Sequence, residues 1–260
     1  MEPNSPAHAV GDEARLLSQA TGLPVAVCRY RARALACLTQ AHPGVTVVLS
    51  DDGLQHPALT RDLELAVFDQ RGIGNARLLP AGPLREPISH LPLMDAVVIN
   101  RGLNPADKPA PNVPQHSNTF DSEIIVRDLI PLANYHTRAP SSGDQVDREL
   151  NTVANDCAGD PVAAVAGIAN PPAFFALLER AGFTVHEYPL ADHGDLDADF
   201  LASLSEPLII LTEKDAVKCN SVTDPRIYVL RIAARPAPAL VSWLVNQCRV
   251  RRQRSDESTQ

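Results

Sequence analysis

Residues 51–87 read DDGLQHPALTRDLELAVFDQRGIGNARLLPAGPLREP, and they follow the apolar run VTVVLS at residues 45–50. A run that is rich in β-branched residues and is followed by a glycine-containing turn predicts a buried parallel strand. Carboxylates at the carboxyl end of such a strand lie where open α/β sheets bind ligands. Asp51 and Asp52 are therefore predicted to hold a divalent cation beside a phosphate-bearing ligand. The alternative is that they cap a helix or form an Asx turn.

Strand-like and helix-like segments alternate along the chain. Apolar runs predict strands at residues 24–28, 45–50, 63–69, 95–100, 161–168, 183–188 and 208–211. Helical apolar spacing predicts helices at residues 14–22, 31–40, 172–181 and 197–204. This alternation predicts an α/β fold with a mostly parallel sheet flanked by helices. Residues 122–127 and 129–135 predict two further strands, which we expect to form a β-hairpin connector.

Proline-rich and polar stretches divide the chain into predicted domains. Residues 1–120 are expected to form the main α/β core, and residues 121–147 a hairpin and linker. Residues 148–250 predict a smaller C-terminal α/β lobe. Residues 251–260 are polar and charged, which predicts a disordered tail.

Composition excludes several classes of protein. The 260 residues carry a formal net charge of -8, which argues against a general nucleic-acid binder. The five cysteines form no Cys-x-x-Cys pair, so free thiols in a reducing cytosol are expected rather than disulfides or a zinc site. The chain has no apolar run long enough to span a membrane and no signal peptide at its N-terminus. A membrane substrate would therefore be reached from the surface.

Four further clusters contain side chains that could act in catalysis. Gly11-Asp12-Glu13 precedes a predicted helix, where it is either a functional acidic pair or an N-terminal cap with an acidic first turn. Arg85 lies on a proline-rich loop and can bind a phosphate or carboxylate, or simply pair with Glu86. An acid precedes His193 and can orient its ring for proton transfer, but neighbouring acids also suit a solvated loop.

The fourth cluster, TEKDAVK at residues 212–218, follows a predicted buried strand. It either presents charged side chains at the carboxyl edge of the sheet or begins a helix, with Thr212 as the cap and Asp215 three residues later. The residues leave both interpretations open.

In this order, the clusters resemble the tetraacyldisaccharide 4'-kinase family of Gram-negative bacteria. The matching motifs are GDE at 11–13, DDGLQH at 51–56, RDLELAVFD at 61–69, GNARLLPAGPLREP at 74–87, AGIANPPAFF at 166–175, DH at 192–193 and TEKDAVK at 212–218. The resemblance extends from about residue 10 to residue 245, nearly the whole chain. The resemblance implies a P-loop NTPase-like fold and transfer of the γ-phosphate of ATP to the 4'-hydroxyl of tetraacyldisaccharide 1-phosphate, giving lipid IVA.

The resemblance also implies roles for individual residues. The implied catalytic pair is Asp12, as general base, with His193. The implied Mg²⁺ ligands are the Walker B-like acids Asp51 and Asp52. The residues expected beside the nucleotide or metal are Glu13, Gln55 and His56, and those expected to contact phosphates or the sugar are Arg31, Arg85 and Glu86. The implied cofactors are ATP and Mg²⁺, and the implied partner is the glycolipid at the cytoplasmic side of the inner membrane.

The sequence departs from the family pattern in one main respect. Family members carry a Walker A loop upstream of the GDE motif, and these 260 residues contain no G-x-x-x-x-G-K-[ST]. The family's hydrophobic membrane anchor is likewise not found before Gly11. On this basis the chain is expected to be an N-terminally truncated kinase that binds ATP and Mg²⁺ poorly and stays in the cytosol.

Two alternatives remain open. One is a catalytically inactive pseudokinase or glycolipid-binding module that keeps the acceptor-side residues. The other is a metal-dependent hydrolase using Asp51, Asp52 and His56, although the other histidines show no ligand spacing.

Overall fold

The computed structural model describes residues 7–103, 109–135, 152–153, 159–191, 196–219 and 222–258. The strands are β1 Leu65–Phe68, β2 Ala96–Asn100, β3 Thr119–Pro131, β4 Pro161–Ala166, β5 Thr184–Pro189, β6 Ile209–Thr212 and β7 Ile227–Pro236. The helices are α1 Ala7–Val10, α2 Asp12–Thr21, α3 Arg31–Ala41, α4 Leu132–Tyr135, α5 Pro171–Arg180, α6 Ala198–Ser203, α7 Glu213–Ala216 and α8 Pro238–Ser258. Two 3₁₀ helices cover Gly53–Gln55 and Ile88–Leu93.

The chain forms two compact units, each built from two separate stretches. Unit 1 comprises Met1–Val27 and Val126–Ala233, and unit 2 comprises Cys28–Ile125 and Ala234–Gln260. Strands β3 and β7 each contribute residues to both units. Residue spacing along the chain does not reveal such a division.

Unit 1 contains strands in the order β3-β7-β6-β4-β5. The pairs β4-β5, β4-β6 and β6-β7 are parallel, with Ala163 opposite both His186 and Ile209. Strand β4 is buried at every position after Pro161, as an apolar strand between two neighbours should be. Helix α5 buries Phe174, Phe175, Leu177 and Leu178.

Unit 2 contains strands in the order β1-β2-β3. Both pairings are parallel, and Val97 of β2 lies opposite Ala66 on one side and Thr119 on the other. Helix α8 contributes Trp243, whose ring centroid is 5.6 Å from that of Phe120. The parallel pairings in both units confirm the predicted α/β class with a mostly parallel sheet.

Most predicted helices and strands are confirmed within a few residues, but the strands at 24–28 and 45–50 are wrong. Residues 45–50 form no strand, and the side chain of Leu49 is 89% exposed. A β-branched run becomes a strand only where a neighbouring strand supplies hydrogen-bond partners. None of the strands in the described part of the chain pairs with residues 24–28 or 45–50.

Two other predictions are corrected at the connector and at the C-terminus. The predicted hairpin strands 122–127 and 129–135 are instead one continuous strand, β3, followed directly by the short helix α4. Asp128, a turn-favouring residue at the predicted break, stays within the strand, where its carboxylate is buried and lies 3.4 Å from Arg231 Nη1. Residues 251–258, predicted to be disordered, continue α8 to Ser258, since polar and charged residues favour a helix as readily as a solvated coil.

Candidate active site

A cavity of about 560 Å³ in unit 2 collects half of the side chains predicted to be functional. Its lining residues are Arg31, Asp52, Gln55, His56, Leu78, Leu79 and Arg85. They come from the start of α3, from the turn after residue 50 and from the loop at residues 70–87. The structure therefore brings DDGLQH and LLPAGPLREP together, although the chain separates them by more than twenty residues.

The turn that carries Asp52 depends on its residue types. Asp52 has φ 51° and ψ 37°, in the left-handed region that aspartate tolerates better than most residues. Gly53 follows at a buried position, where an added Cβ would lie 2.9 Å from the Ser50 hydroxyl oxygen. The Asp-Gly pair thus lets the chain turn sharply into the 3₁₀ helix and leaves the Asp52 carboxylate at the cavity.

Asp52 and Arg85 form an ion pair across the cavity. Arg85 Nη1 donates to Asp52 Oδ2 at 2.6 Å, and the two side chains are 56% and 60% exposed. An exposed pair contributes only about 0.2–1 kcal/mol to stability. The contact therefore adds little to stability and leaves both charged groups accessible at the cavity.

Glu86 belongs to the same group of contacts without lining the cavity. Gln55 Nε2 donates to Glu86 Oε1 at 3.4 Å, and the second Glu86 oxygen lies 3.3 Å from His90 Nδ1. Four of the predicted residues are thereby linked in pairs, Asp52 with Arg85 and Gln55 with Glu86.

The loop at residues 70–87 is ordered by its own hydrogen bonds. Asn75 Nδ2 donates to the Ala81 carbonyl at 2.8 Å, and the Leu84 N–H donates to the Arg77 carbonyl at 3.1 Å. An added Cβ on Gly82 would lie 2.4 Å from that Arg77 carbonyl oxygen, so glycine allows this close approach. The loop places Leu78 and Leu79, both exposed, beside the arginines of the cavity.

Asp51 and Asp52 have the donor chemistry that Mg²⁺ prefers. Mg²⁺ is held by one or two carboxylates together with water and phosphate oxygens, and both aspartates are exposed. The two carboxylates fit such an ion, and one oxygen of Asp52 also accepts a hydrogen bond from Arg85. Among the described residues, no three His, Cys, Asp or Glu side chains gather around a possible metal site.

Unit 1 contains the other predicted acids. Asp12 and Glu13 form the first turn of α2, after Gly11 at φ 91°. Asp12 Oδ2 lies 3.5 Å from Lys218 Nζ, and the side chains of Asp12 and Lys218 are only 16% and 13% exposed. Sequence reasoning missed Lys218, although its spacing of three residues from Asp215 is a signal for a side-chain pair on one face.

The TEKDAVK motif begins α7 in the way that the capping interpretation predicted. The Asp215 N–H donates to Thr212 Oγ1 at 3.2 Å, and Thr212 Oγ1 donates to Asp215 Oδ2 at 2.6 Å. Asp215 is fully buried and also accepts a hydrogen bond from the Gly167 N–H at 2.9 Å. The motif therefore anchors a buried carboxylate, and this carboxylate lies 4.0 Å from Lys218 Nζ.

Further buried charges surround α7. Arg231 lies 3.4 Å from Asp128 Oδ2 and 3.8 Å from Glu213 Oε1. Burial raises the pKa of Glu213, although the Ile232 N–H and Arg231 oppose that shift. Burial also raises the pKa of Tyr135, whose hydroxyl donates to the Glu213 carbonyl.

The predicted residues that the structure describes fall into two groups. Asp12 and Glu13 lie in unit 1, and seven lie in unit 2, namely Arg31, Asp51, Asp52, Gln55, His56, Arg85 and Glu86. Asp192 and His193 lie outside the described residues. Within the part of the chain that is described, no helix is both long enough and apolar enough to cross a membrane.

Comparison with known proteins places these motifs in a family. The family model described as tetraacyldisaccharide-1-P 4'-kinase matches residues 1–249. The chain belongs to this kinase family. Curated relatives named tetraacyldisaccharide 4'-kinase include one from Bordetella parapertussis, 41% identical over 246 residues, and one from Bordetella petrii, 42% identical over 238 residues.

These matches cover 93% and 90% of this chain but 66% and 64% of the relatives. The chain therefore spans about two thirds of the length of these family members. A crystal structure of LpxK from Aquifex aeolicus in complex with ATP has a TM-score of 0.68 and 21% sequence identity, and the match covers 94% of this chain and 71% of that one. This likeness shows that the chain shares the fold of that structure, and the match to the family model confirms the resemblance seen in the motifs.

Proposed function

We propose that this protein transfers the γ-phosphate of ATP to the 4'-hydroxyl of a tetraacyldisaccharide 1-phosphate, giving lipid IVA. The single observation that carries the proposal is the Asp52–Arg85 cavity, which two separate family motifs build in a chain that matches the family model over residues 1–249. Phosphoryl transfer depends mainly on positioning and charge neutralisation, and paired carboxylates beside arginines provide both.

The side chains of the cavity have distinct proposed roles. Asp51 and Asp52 hold Mg²⁺, which when bound neutralises charge on the ATP phosphates. Arg31 and Arg85 bind phosphate oxygens or the sugar, because a guanidinium donates two parallel hydrogen bonds to such groups. Glu86 orients Gln55 through their hydrogen bond.

Asp12 is the proposed general base. Its carboxylate accepts the proton of the 4'-hydroxyl as the hydroxyl oxygen forms a bond to the γ-phosphorus and the bond to ADP breaks. His193 is its proposed partner, and Glu13 lies beside it in the same helical turn. The nearly buried position of Asp12 suits a group that must exchange its proton with a substrate rather than with bulk water.

The proposed partner is a glycolipid, so the protein works at a membrane surface. In this proposal it meets its substrate at the cytoplasmic side of the bacterial inner membrane. The leucines at the rim of the cavity are compatible with an amphiphilic substrate that has a charged head and apolar chains.

A transfer assay tests the proposal. The 260-residue chain, and a chain extended by any in-frame sequence encoded upstream of Met1, are incubated with radiolabelled ATP, Mg²⁺ and the disaccharide 1-phosphate in detergent micelles. We expect a labelled product that depends on the 4'-hydroxyl, and a rate reduced about 100-fold or more by Asp12→Asn and by Asp52→Asn. An unlabelled glycolipid in both preparations, with the acceptor shown to be intact, would refute the function.

The second candidate is a glycolipid-binding module without transfer. It is favoured by the cavity itself, since Arg31 and Arg85 can bind a phosphate or sugar without any transfer step. Titration calorimetry separates the candidates, since a kinase binds ATP with Mg²⁺ and the glycolipid, whereas the module binds the glycolipid alone.

A further inference from the structure

Lys218 faces Asp12 in unit 1 and has no role in the function proposed above. Its ammonium lies 3.5 Å from Asp12 Oδ2 and 4.0 Å from Asp215 Oδ1. We propose that Lys218 is a positioning residue, which holds the Asp12 carboxylate in the orientation that accepts the proton of the acceptor hydroxyl. This inference rests on the proposed function, because it assigns Asp12 the role of base.

The lysine is itself held by a rigid anchor. Asp215 is fully buried, and its Oδ2 accepts hydrogen bonds from the Gly167 N–H and the Thr212 hydroxyl. No hydrogen-bond donor in the described part of the chain reaches Asp215 Oδ1. The negative charge on this oxygen is therefore balanced by the Lys218 ammonium, 4.0 Å away. A buried carboxylate requires such an opposite charge, which fixes where the ammonium must lie.

Gly167 makes room for this anchor at the end of β4. A Cβ at residue 167 would lie 2.8 Å from Asp215 Oδ1, too close for an ordinary contact. Glycine therefore lets the backbone N–H approach the carboxylate from one side, while Lys218 approaches Oδ1. The ends of β4 and β6 and the first turn of α7 together set the position of the lysine.

The ammonium affects Asp12 in two ways. Because Asp12 and Lys218 are both largely buried, little water screens their attraction, and the pair restricts the rotation of the carboxylate. The positive charge also offsets the repulsion that the buried Asp215 carboxylate would exert on Asp12. Both effects act on the Asp12 carboxylate, the proposed base, and not on the binding of either substrate. They should therefore affect kcat more than KM.

Three variants test the inference in the form of the protein that transfers phosphate. Lys218→Met keeps the aliphatic stem and removes the charge, Lys218→Arg keeps the charge, and Lys214→Met removes a neighbouring lysine charge as the control. We expect Lys218→Met to lower kcat about 10-fold or more. The KM for each substrate should stay within about 2-fold of the wild-type value. Lys218→Arg should recover most of that loss, and Lys214→Met should leave kcat near that of the wild type.

Melting temperatures provide a second measurement that does not need activity. If the ion pair exists, Asp12→Asn and Lys218→Met together should lower the melting temperature by less than the sum of their separate shifts. Additive shifts, an unchanged kcat in Lys218→Met, or equal losses in Lys214→Met would each overturn the role of Lys218. A wild-type protein that transfers no phosphate would instead overturn the proposed function, while non-additive melting would still support the ion pair.

Discussion

In the cavity of unit 2, Asp52 and Arg85 form an ion pair in which both side chains are more than half exposed. Such a pair adds little to stability, yet both residues belong to motifs that define the family match. The positive φ of Asp52 and the close packing of Gly53 show that the backbone holds this carboxylate in place. At the scale of the residue, the backbone therefore fixes an exposed charged pair that contributes little to folding.

Arg85→Gln separates the contribution of Arg85 to stability from its proposed contribution to ligand binding. We expect the free energy of unfolding to change by no more than about 1 kcal/mol, because the lost pair is exposed. Phosphoryl transfer should fall about 100-fold, because a donor to phosphate oxygens is lost. Arg71→Gln is the matched control, since Arg71 pairs with Asp69 in an equally exposed contact outside the cavity. Similar losses of transfer in both variants would contradict the assignment.

Gly167→Ala tests the buried carboxylate of unit 1. The new methyl group would crowd Asp215 Oδ1 and push it from its hydrogen bonds, so we expect a loss of about 1–3 kcal/mol of unfolding free energy. Gly44→Ala is the control, because an added Cβ there meets no atom within 4 Å. Urea denaturation measures the unfolding free energy of each variant. Equal midpoints for the two variants would show that the methyl group at residue 167 does not crowd Asp215.

Helix α8 illustrates how a single element is anchored. Arg251 Nε donates to the Asp62 carbonyl at 2.6 Å, and its Nη2 donates to Asp95 Oδ1 at 2.8 Å. Asp95 also accepts a hydrogen bond from the Glu64 N–H at 2.8 Å. These contacts explain why the chain after residue 250 is helical although its composition resembles a tail.

Arg251→Met should therefore destabilise the protein. The hydrogen bonds to the exposed Asp62 carbonyl and to the partly buried Asp95 carboxylate are lost. We expect a cost of about 1 kcal/mol or more, measured by thermal or urea unfolding. Arg252→Met, at the exposed neighbouring position, should change the unfolding free energy by less than about 0.5 kcal/mol. If the two substitutions changed the unfolding free energy equally, the contacts of Arg251 would not anchor the helix.

Strand β5 carries a pH-sensitive contact. Burial alone would raise the pKa of Glu206, but hydrogen bonds from His186 Nδ1 and the Tyr188 hydroxyl, both at 2.8 Å, hold that pKa below its ordinary value of 4.5. A carboxyl whose pKa is lowered by folding stabilises the protein above its unfolded pKa. That stability is lost as the pH falls from 4.5 through the folded pKa.

Glu206→Gln should therefore flatten the acid side of the stability profile. We expect the unfolding free energy of the wild type to decline more steeply below pH 4.5 than that of the variant, measured by urea denaturation at a series of pH values. Glu187→Gln, an exposed acid on the same strand, should keep the slope of the wild type. Parallel curves for all three proteins would show that Glu206 is not the group responsible.

At the scale of the whole molecule, acidic charge limits the possible partners. A net charge of -8 repels the phosphate backbone of nucleic acids, so we expect no binding of a short fluorescent DNA duplex at physiological salt. Fluorescence anisotropy measures this, with a basic DNA-binding domain as the positive control. Saturable binding that weakens with added salt would contradict the expectation.

The amino-acid sequence alone determined the family, the α/β class and most individual helices and strands, because motif order and apolar periodicity are local properties of a chain. It also identified Asp52 and Arg85, whose residue types suit phosphate chemistry. Tertiary structure alone decided that these two side chains meet, that residues 45–50 pair with none of the described strands and that Lys218 faces Asp12. Those outcomes depend on partners distant in the chain, and the free energy of a strand or an ion pair exists only once its partner is in place.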